Sequence, residues 1–137
     1  MKSFRVIIAG GRDYTDYAAL RENVIQDMKI LREKINHSQA MKCKELTIIS
    51  GHARGADALG EQFAKEFRLP LVLFPADWDK NGKSAGYARN VDMAKFATEE
   101  PTAQGILIAF WDGQSKGTGH MIEIAKKRGL EVVVHKY

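Results

Sequence analysis

The sequence predicts an α/β protein of Rossmann-like, three-layer form, with a mainly parallel five-stranded sheet between layers of helix. Three observations carry that prediction. Short apolar runs alternate with helix-length amphipathic segments, the runs are apolar throughout rather than at every second residue, and the connections are brief. Strands read this way when both of their faces are buried, as they are once crossover helices cover both sides of a parallel sheet.

Phe4-Arg5-Val6-Ile7-Ile8-Ala9 is the first strand and runs into Gly10-Gly11. Asp16 offers a capping carboxylate to a helix through about Ile35, in which Leu20, Val24, Met28, Leu31 and Ile35 fall on one face. The polar stretch from Asn36 to Lys44 reads as a loop, and Leu46 to Ser50 as the second strand. A helix from Ala56 to Phe67 places Leu59, Phe63 and Phe67 on one side. Leu71 to Phe74 forms a third strand that stops at Pro75. A polar loop from Asp77 to Ser84 then leads to a third helix around Tyr87 to Ala97. Pro101 breaks the chain before the fourth strand, Ile106 to Phe110. Gly117-Thr118-Gly119 opens a fourth helix to about Arg128, Gly129 closes it, and Glu131 to His135 is the last strand.

A chain of 137 residues is sized for one domain, and residues 1–137 are expected to form one. With 45% hydrophobic and 28% charged residues, the composition excludes a disordered chain. No apolar run has the length of a membrane span, and the first strand begins too near Met1 to leave room for a signal peptide. The lone Cys43 excludes an intrachain disulfide and fits a reducing compartment, so the expected location is cytoplasmic. Net charge is +4, a small and dispersed excess. Lys29, Arg32, Lys34, Lys42 and Lys44 read as solvated charge on or after a helix, so nucleic acid is not an expected partner.

In an open parallel sheet, ligands bind beyond the carboxyl ends of the strands. Those ends carry Gly10-Gly11-Arg12-Asp13, then Ser50-Gly51-His52-Ala53-Arg54-Gly55-Ala56-Asp57, then Pro75-Ala76-Asp77-Trp78. The fourth is followed by Trp111-Asp112-Gly113-Gln114-Ser115-Lys116-Gly117-Thr118-Gly119. Glycine lets the main chain approach a phosphate, and a helix opening directly afterwards aims free N–H groups at it. A single junction of this kind is usually only a turn. Three at one sheet edge predict an anion cradle of main-chain amides. Neither the P-loop pattern nor the G-x-G-x-x-G dinucleotide pattern is present, which argues against a P-loop NTPase or an NAD dehydrogenase.

At these junctions the chain resembles the SLOG superfamily, which unites the Smf/DprA DNA-processing proteins with the Lonely Guy cytokinin-activating enzymes. The motifs that carry the likeness are Gly10-Gly11-Arg12, Ser50-Gly51-His52-Ala53-Arg54-Gly55-Ala56-Asp57, Gly86-Tyr87-Ala88-Arg89-Asn90-Val91-Asp92-Met93 and Asp112-Gly113-Gln114-Ser115-Lys116-Gly117-Thr118. They occur in order over nearly the whole length, and resemble most the YspA/YpsA-related branch common in phages and mobile elements. The resemblance implies a nucleotide-type small-molecule ligand over the glycine loops, often held by a homodimer; no cofactor is expected. It places Gly10, Gly11 and Arg12 in the first loop and Gly51, Arg54, Gly55 and Asp57 in the second. Arg89 and Asn90 come from the third helix. Gly113, Ser115, Gly117 and Thr118 form a phosphate-binding turn.

One departure bears on catalysis. Lonely Guy enzymes carry a glutamate three residues after the threonine of this turn, where the chain has Met121. Glu123 lies two residues further, about 200° around a helix. The acid for N-glycosidic cleavage is therefore missing from its expected place, and no catalytic residue is assigned.

Individual side chains keep two readings. Arg12, Arg54 and Arg89 suit phosphate oxygens, against ion pairs with Asp13, Asp57 or Asp77. Asp57 can hold a ribose hydroxyl or cap its helix. Asp77, Asp79 and Asp112 have no metal-ligand spacing, so no metal is expected. His52 and His120 flank the cleft without a partner fixed by spacing, His37 and His135 carry no assignment, and Cys43 lacks a nucleophile motif. Trp78 and Trp111 each follow a strand end, where an aromatic ring either stacks on a base or packs at the core edge; for Trp111 the packing reading is favoured. The leading expectation is binding or sensing of a nucleotide-derived ligand. Its alternatives are nucleoside-monophosphate N-glycoside hydrolysis of the Lonely Guy type and single-stranded nucleic-acid binding as in DprA.

Overall fold

The computed structural model describes residues 3–36 and 46–137, without the side chains of residues 35 and 36. His37, Lys42, Cys43, Lys44 and most of the expected 36–44 loop lie outside the described residues, as does the facing of Ile35. The elements are β1 (Ser3–Gly10), α1 (Tyr17–Asn36), β2 (Leu46–Ser50), α2 (Ala56–Glu66), β3 (Leu71–Leu73), α3 (Trp78–Asn81), α4 (Ala85–Thr98), β4 (Ala103–Trp111), α5 (Lys116–Lys127) and β5 (Glu131–Lys136). One 3₁₀ turn, Gly82–Ser84, joins α3 to α4. The strands pair in the order β3-β2-β1-β4-β5, every pair parallel.

Alternation along the central strand divides the core in two. Phe4, Val6 and Ile8 point to the face covered by Leu20, Val24, Met28 and Leu31 of α1 and Phe63 of α2. Ile7 and Ala9 point to the other, against Met93, Ala94 and Ala97 of α4 and Met121, Ile122 and Ala125 of α5. Helices thus cover both sides, which is why the strands are apolar at consecutive positions. Leu20, Val24, Met28 and Leu31 are buried on the face their spacing predicts, and the Asp16 carboxylate accepts the Ala19 N–H at 3.0 Å as the N-cap. Gly129, at φ 80°, ends α5 while Leu130 N–H returns to the Ala125 carbonyl at 3.0 Å.

The largest departure from expectation is the stretch 77–84, which is helical rather than an open loop. Asp77 caps its single α-turn by accepting the Lys80 N–H at 3.0 Å. Four residues are too few for a hydrophobic period, so the turn has no sequence signature beyond its cap. The third strand is shorter than expected: Phe74 lies beyond β3, although its N–H still reaches the Ser50 carbonyl at 2.8 Å. Residues 103–105 join β4 because they pair with residues 3–5 of β1.

Candidate functional site

From β1 the chain crosses to β2 and β3 on one side, then returns to β4 on the other. The connections leaving β1 and β4 therefore diverge from neighbouring strand ends and open a crevice between them. A cavity of about 730 Å³ occupies that crevice. Its walls bring together ten of the residues expected to bind a ligand: Gly10, Gly11, Arg12, Arg54, Asp57, Arg89, Asn90, Ser115, Gly117 and Thr118.

Gly51, Gly55 and Gly113 do not line the cavity; they shape its walls from behind. The Gly51 carbonyl accepts a short hydrogen bond from Arg89 Nη1, and a Cβ at Gly51 would sit 2.8 Å from the Asp57 carboxylate. Gly55, at φ 78°, packs so closely on the first loop that a Cβ there would lie 2.6 Å from Arg12 Cα. Gly113, at φ 83°, turns the exposed loop before α5.

The predicted amide cradle is narrower than the glycine pattern suggests, because the protein's own acids occupy much of it. Asp57, buried at the start of α2, accepts N–H bonds from Ala53 at 3.2 Å and from Gly10. The Gly11 amide donates to the Phe110 carbonyl, and the Ala56 amide to the Gly11 carbonyl. Asp112 accepts from Gln114 and Ser115, both at 2.8 Å, and these bonds hold its carboxyl below the usual range. What stays open is the first turn of α5. Ser115 stands at its N-cap without a side-chain capping bond, and the Lys116, Gly117 and Thr118 amides have no partner among the described residues. A Cβ added at Gly117 would meet nothing within 4 Å.

Four cations, Arg12, Arg54, Lys83 and Arg89, share the cavity with Asp13, Asp57 and Asp112. Arg12 and Arg54 are exposed and form no ion pair among the described residues, so the alternative of a structural salt bridge is not realised for either. Arg89 is held from two sides, by the Gly51 carbonyl and by Nε donation to Asn90 Oδ1 at 3.2 Å. Burial lowers its pKa, Asp57 opposes that shift, and the nearby Arg12 guanidinium adds to it. Burial pushes the Asp57 carboxyl up to about 6 against the favourable pull of Arg89 and the backbone amides.

Asn90 is buried, and its Nδ2 donates to the Gly117 carbonyl at 3.1 Å and to His120 Nδ1 at 3.2 Å. It ties α4 to the open turn of α5. His120 lies behind the wall, with its pKa lowered chiefly by burial. His52 turns from the cavity to Glu61, 3.0 Å from its Nδ1. His135, unassigned from sequence, bonds Asp27 at 2.5 Å and stacks on Phe110. Tyr137 donates to Asp13 at 2.5 Å and presses its hydroxyl against Gly11. Met121 is buried at the cavity wall, whereas Glu123 is exposed and does not line it.

Sequence reasoning missed Lys83, Gly86 and Tyr87 as wall residues and left Trp78 undecided. All four come from the helical stretch taken for a polar loop and from the first turn of α4. Trp78 is 52% exposed and Tyr87 42% exposed, both at the cavity. Trp111 instead donates its indole N–H to the Ser115 carbonyl at 3.0 Å and braces the α5 loop. Among the described residues, no group of three or more His, Cys, Asp or Glu side chains converges as a metal site would.

Fold and site together define a Rossmann-like α/β protein with a polar cavity at the switch point of its parallel sheet. The chain belongs to the YspA, cpYpsA-related SLOG family, whose family model matches residues 4–81. That match spans β1 to α3, so Arg89, Asn90 and the α5 turn lie beyond it. The Gene 61 protein of Mycobacterium phage D29 is similar at 29% identity over 134 residues, covering 94% of each chain. No solved structure matches. No described helix is long and apolar enough to cross a membrane.

Proposed function

We propose that the cavity binds a nucleotide or nucleotide-derived ligand, with its phosphate over the first turn of α5 and its negative charge met by Arg12, Arg54 and Arg89. The single observation that carries this reading is the open turn. Among the described residues three amides at the positive end of a helix have no partner, two of them, on Gly117 and Thr118, belong to residues that line the cavity, and the cavity's two exposed arginines are also unpaired. Guanidinium forks match phosphate oxygens in pairs, and the site leaves those forks free. Membership of the SLOG family is consistent with a nucleotide-related ligand.

Isothermal titration with nucleotides and pyrophosphate tests the reading. Binding is expected to fall about tenfold or more in Arg89→Ala, since a hydrogen bond to a charged group contributes about 1.5–3 kcal/mol. Absence of heat across the panel, with the protein folded, rejects it.

A second reading, hydrolysis of an N-glycosidic bond, rests on Asp57. A carboxyl raised to about 6 can donate or accept a proton near neutral pH, and this one lies in the cavity wall. Release of free base from nucleoside monophosphates, lost in Asp57→Asn, supports that reading. Intact substrate after prolonged incubation removes it.

A further inference from the structure

We infer that the wall formed by Trp78, Gly86 and Tyr87 is a stacking shelf for a flat heteroaromatic ring, so that the ligand is a nucleoside phosphate and not a sugar phosphate or free phosphate. The inference deepens the proposed function and rests on it, because the shelf adjoins the anion site. Trp78 and Tyr87 are the two exposed large hydrophobic residues that line the cavity; the others with comparable exposure, such as Ile30 and Leu73, do not.

Gly86 sets the geometry. It lines the cavity from the first turn of α4, and the position its Cβ would take is 3.8 Å from Trp78 Cη2 and 3.8 Å from Arg89 Nη2. The indole edge and the guanidinium therefore flank one bare stretch of backbone. A planar ring seated on that backbone would meet the indole on one side and the guanidinium on the other, within the cavity that Gly117 and Thr118 also line. Tyr87, next in the chain, is steadied by an edge-on contact with His120, centroids 4.5 Å apart at 79°. Its ring stays partly bare while its orientation is set. Stacking reads the face of a base rather than its edge, so every base is accepted and the larger purine surface is favoured.

The test compares adenosine monophosphate, uridine monophosphate, ribose 5-phosphate and pyrophosphate by titration calorimetry. A parallel fluorescence measurement follows tryptophan emission of the wild-type protein, with Trp78→Ala as the control that isolates the Trp78 signal from that of Trp111, the other of the two tryptophans. Adenosine monophosphate is expected to bind at least about fivefold more tightly than ribose 5-phosphate, in line with one base–aromatic stack, and to quench Trp78 emission. Trp78→Ala should abolish that advantage and leave ribose 5-phosphate affinity unchanged. Gly86→Leu, which covers the floor, should also remove the advantage of adenosine monophosphate, without removing the indole. Equal affinities for the nucleotide and ribose 5-phosphate, with emission unchanged, overturn the shelf while the anion site stands. Loss of all four ligands by folded parent protein overturns the anion site, and the shelf falls with it.

Discussion

The beginnings of α2 and α5 look alike in the sequence, each a strand followed by glycines and then a helix, yet the fold uses them in opposite ways. At α2 the glycines serve contact. A Cβ at Gly10 or Gly55 would collide with a neighbouring strand or loop and one at Gly51 with the Arg89 and Asp57 side chains, and the amides around them are closed by the buried Asp57 carboxylate or by backbone carbonyls. At α5, Gly117 faces open space and the first three helical amides are left bare. Glycine at a strand–helix junction therefore marks two different situations, close packing of main chain and an open turn, which the proposed function assigns to a ligand. Only the tertiary neighbours tell them apart.

Substitutions can break this contrast. The largest effect is expected at the closed end. Gly55→Ala combines a backbone conformation that side chains rarely adopt with a clash on the first loop, and should cost more than about 3 kcal/mol in urea unfolding. A loss below about 1 kcal/mol would show that the two loops are not packed as described.

Asp57 gives the next effect, through pH. Its folded pKa lies near 6, above the usual 3.8, so the folded protein holds this proton more firmly than the unfolded chain does. Its contribution is fully present below about pH 4 and is lost as pH rises through 6. The stability of the parent relative to Asp57→Asn should therefore fall by about 3 kcal/mol between pH 3 and pH 7. A flat difference across that range would show that Arg89 and the Gly10 and Ala53 amides offset the effect of burial on this carboxyl.

The smallest change in stability is expected at the open end. Gly117→Ala should raise stability by about 0.5 kcal/mol, because alanine favours the helix and its methyl meets no protein atom. The same methyl crowds the bare amides, so pyrophosphate affinity should drop in the variant. Unchanged affinity together with raised stability would move the anion away from this turn.

Much of the fold was legible because strand burial is written in consecutive apolar residues. Val6-Ile7-Ile8 has to feed two cores, and Leu20, Val24, Met28 and Leu31 have to face one of them. The turn at 78–81 was hidden because it is held by the Asp77 cap and not by a repeating apolar face. At the site, sequence identified the loops and the arginines that the cavity gathers. It could not say which amides Asp57 and Asp112 occupy, since those pairings depend on how loops distant in the chain come to rest. The sequence places Tyr87 at the start of a helix and Lys83 in a polar stretch; both join the wall where the 3₁₀ turn leads into α4.

The missing cap on α5 links occupancy to rigidity. A helix that begins with bare donors frays at that end, and Asn90 and Trp111 fasten this turn to α4 and to the end of β4. An anion seated there completes the helix and draws both fastenings tight, so the empty and filled forms would differ most in the firmness of one short turn and little in overall shape.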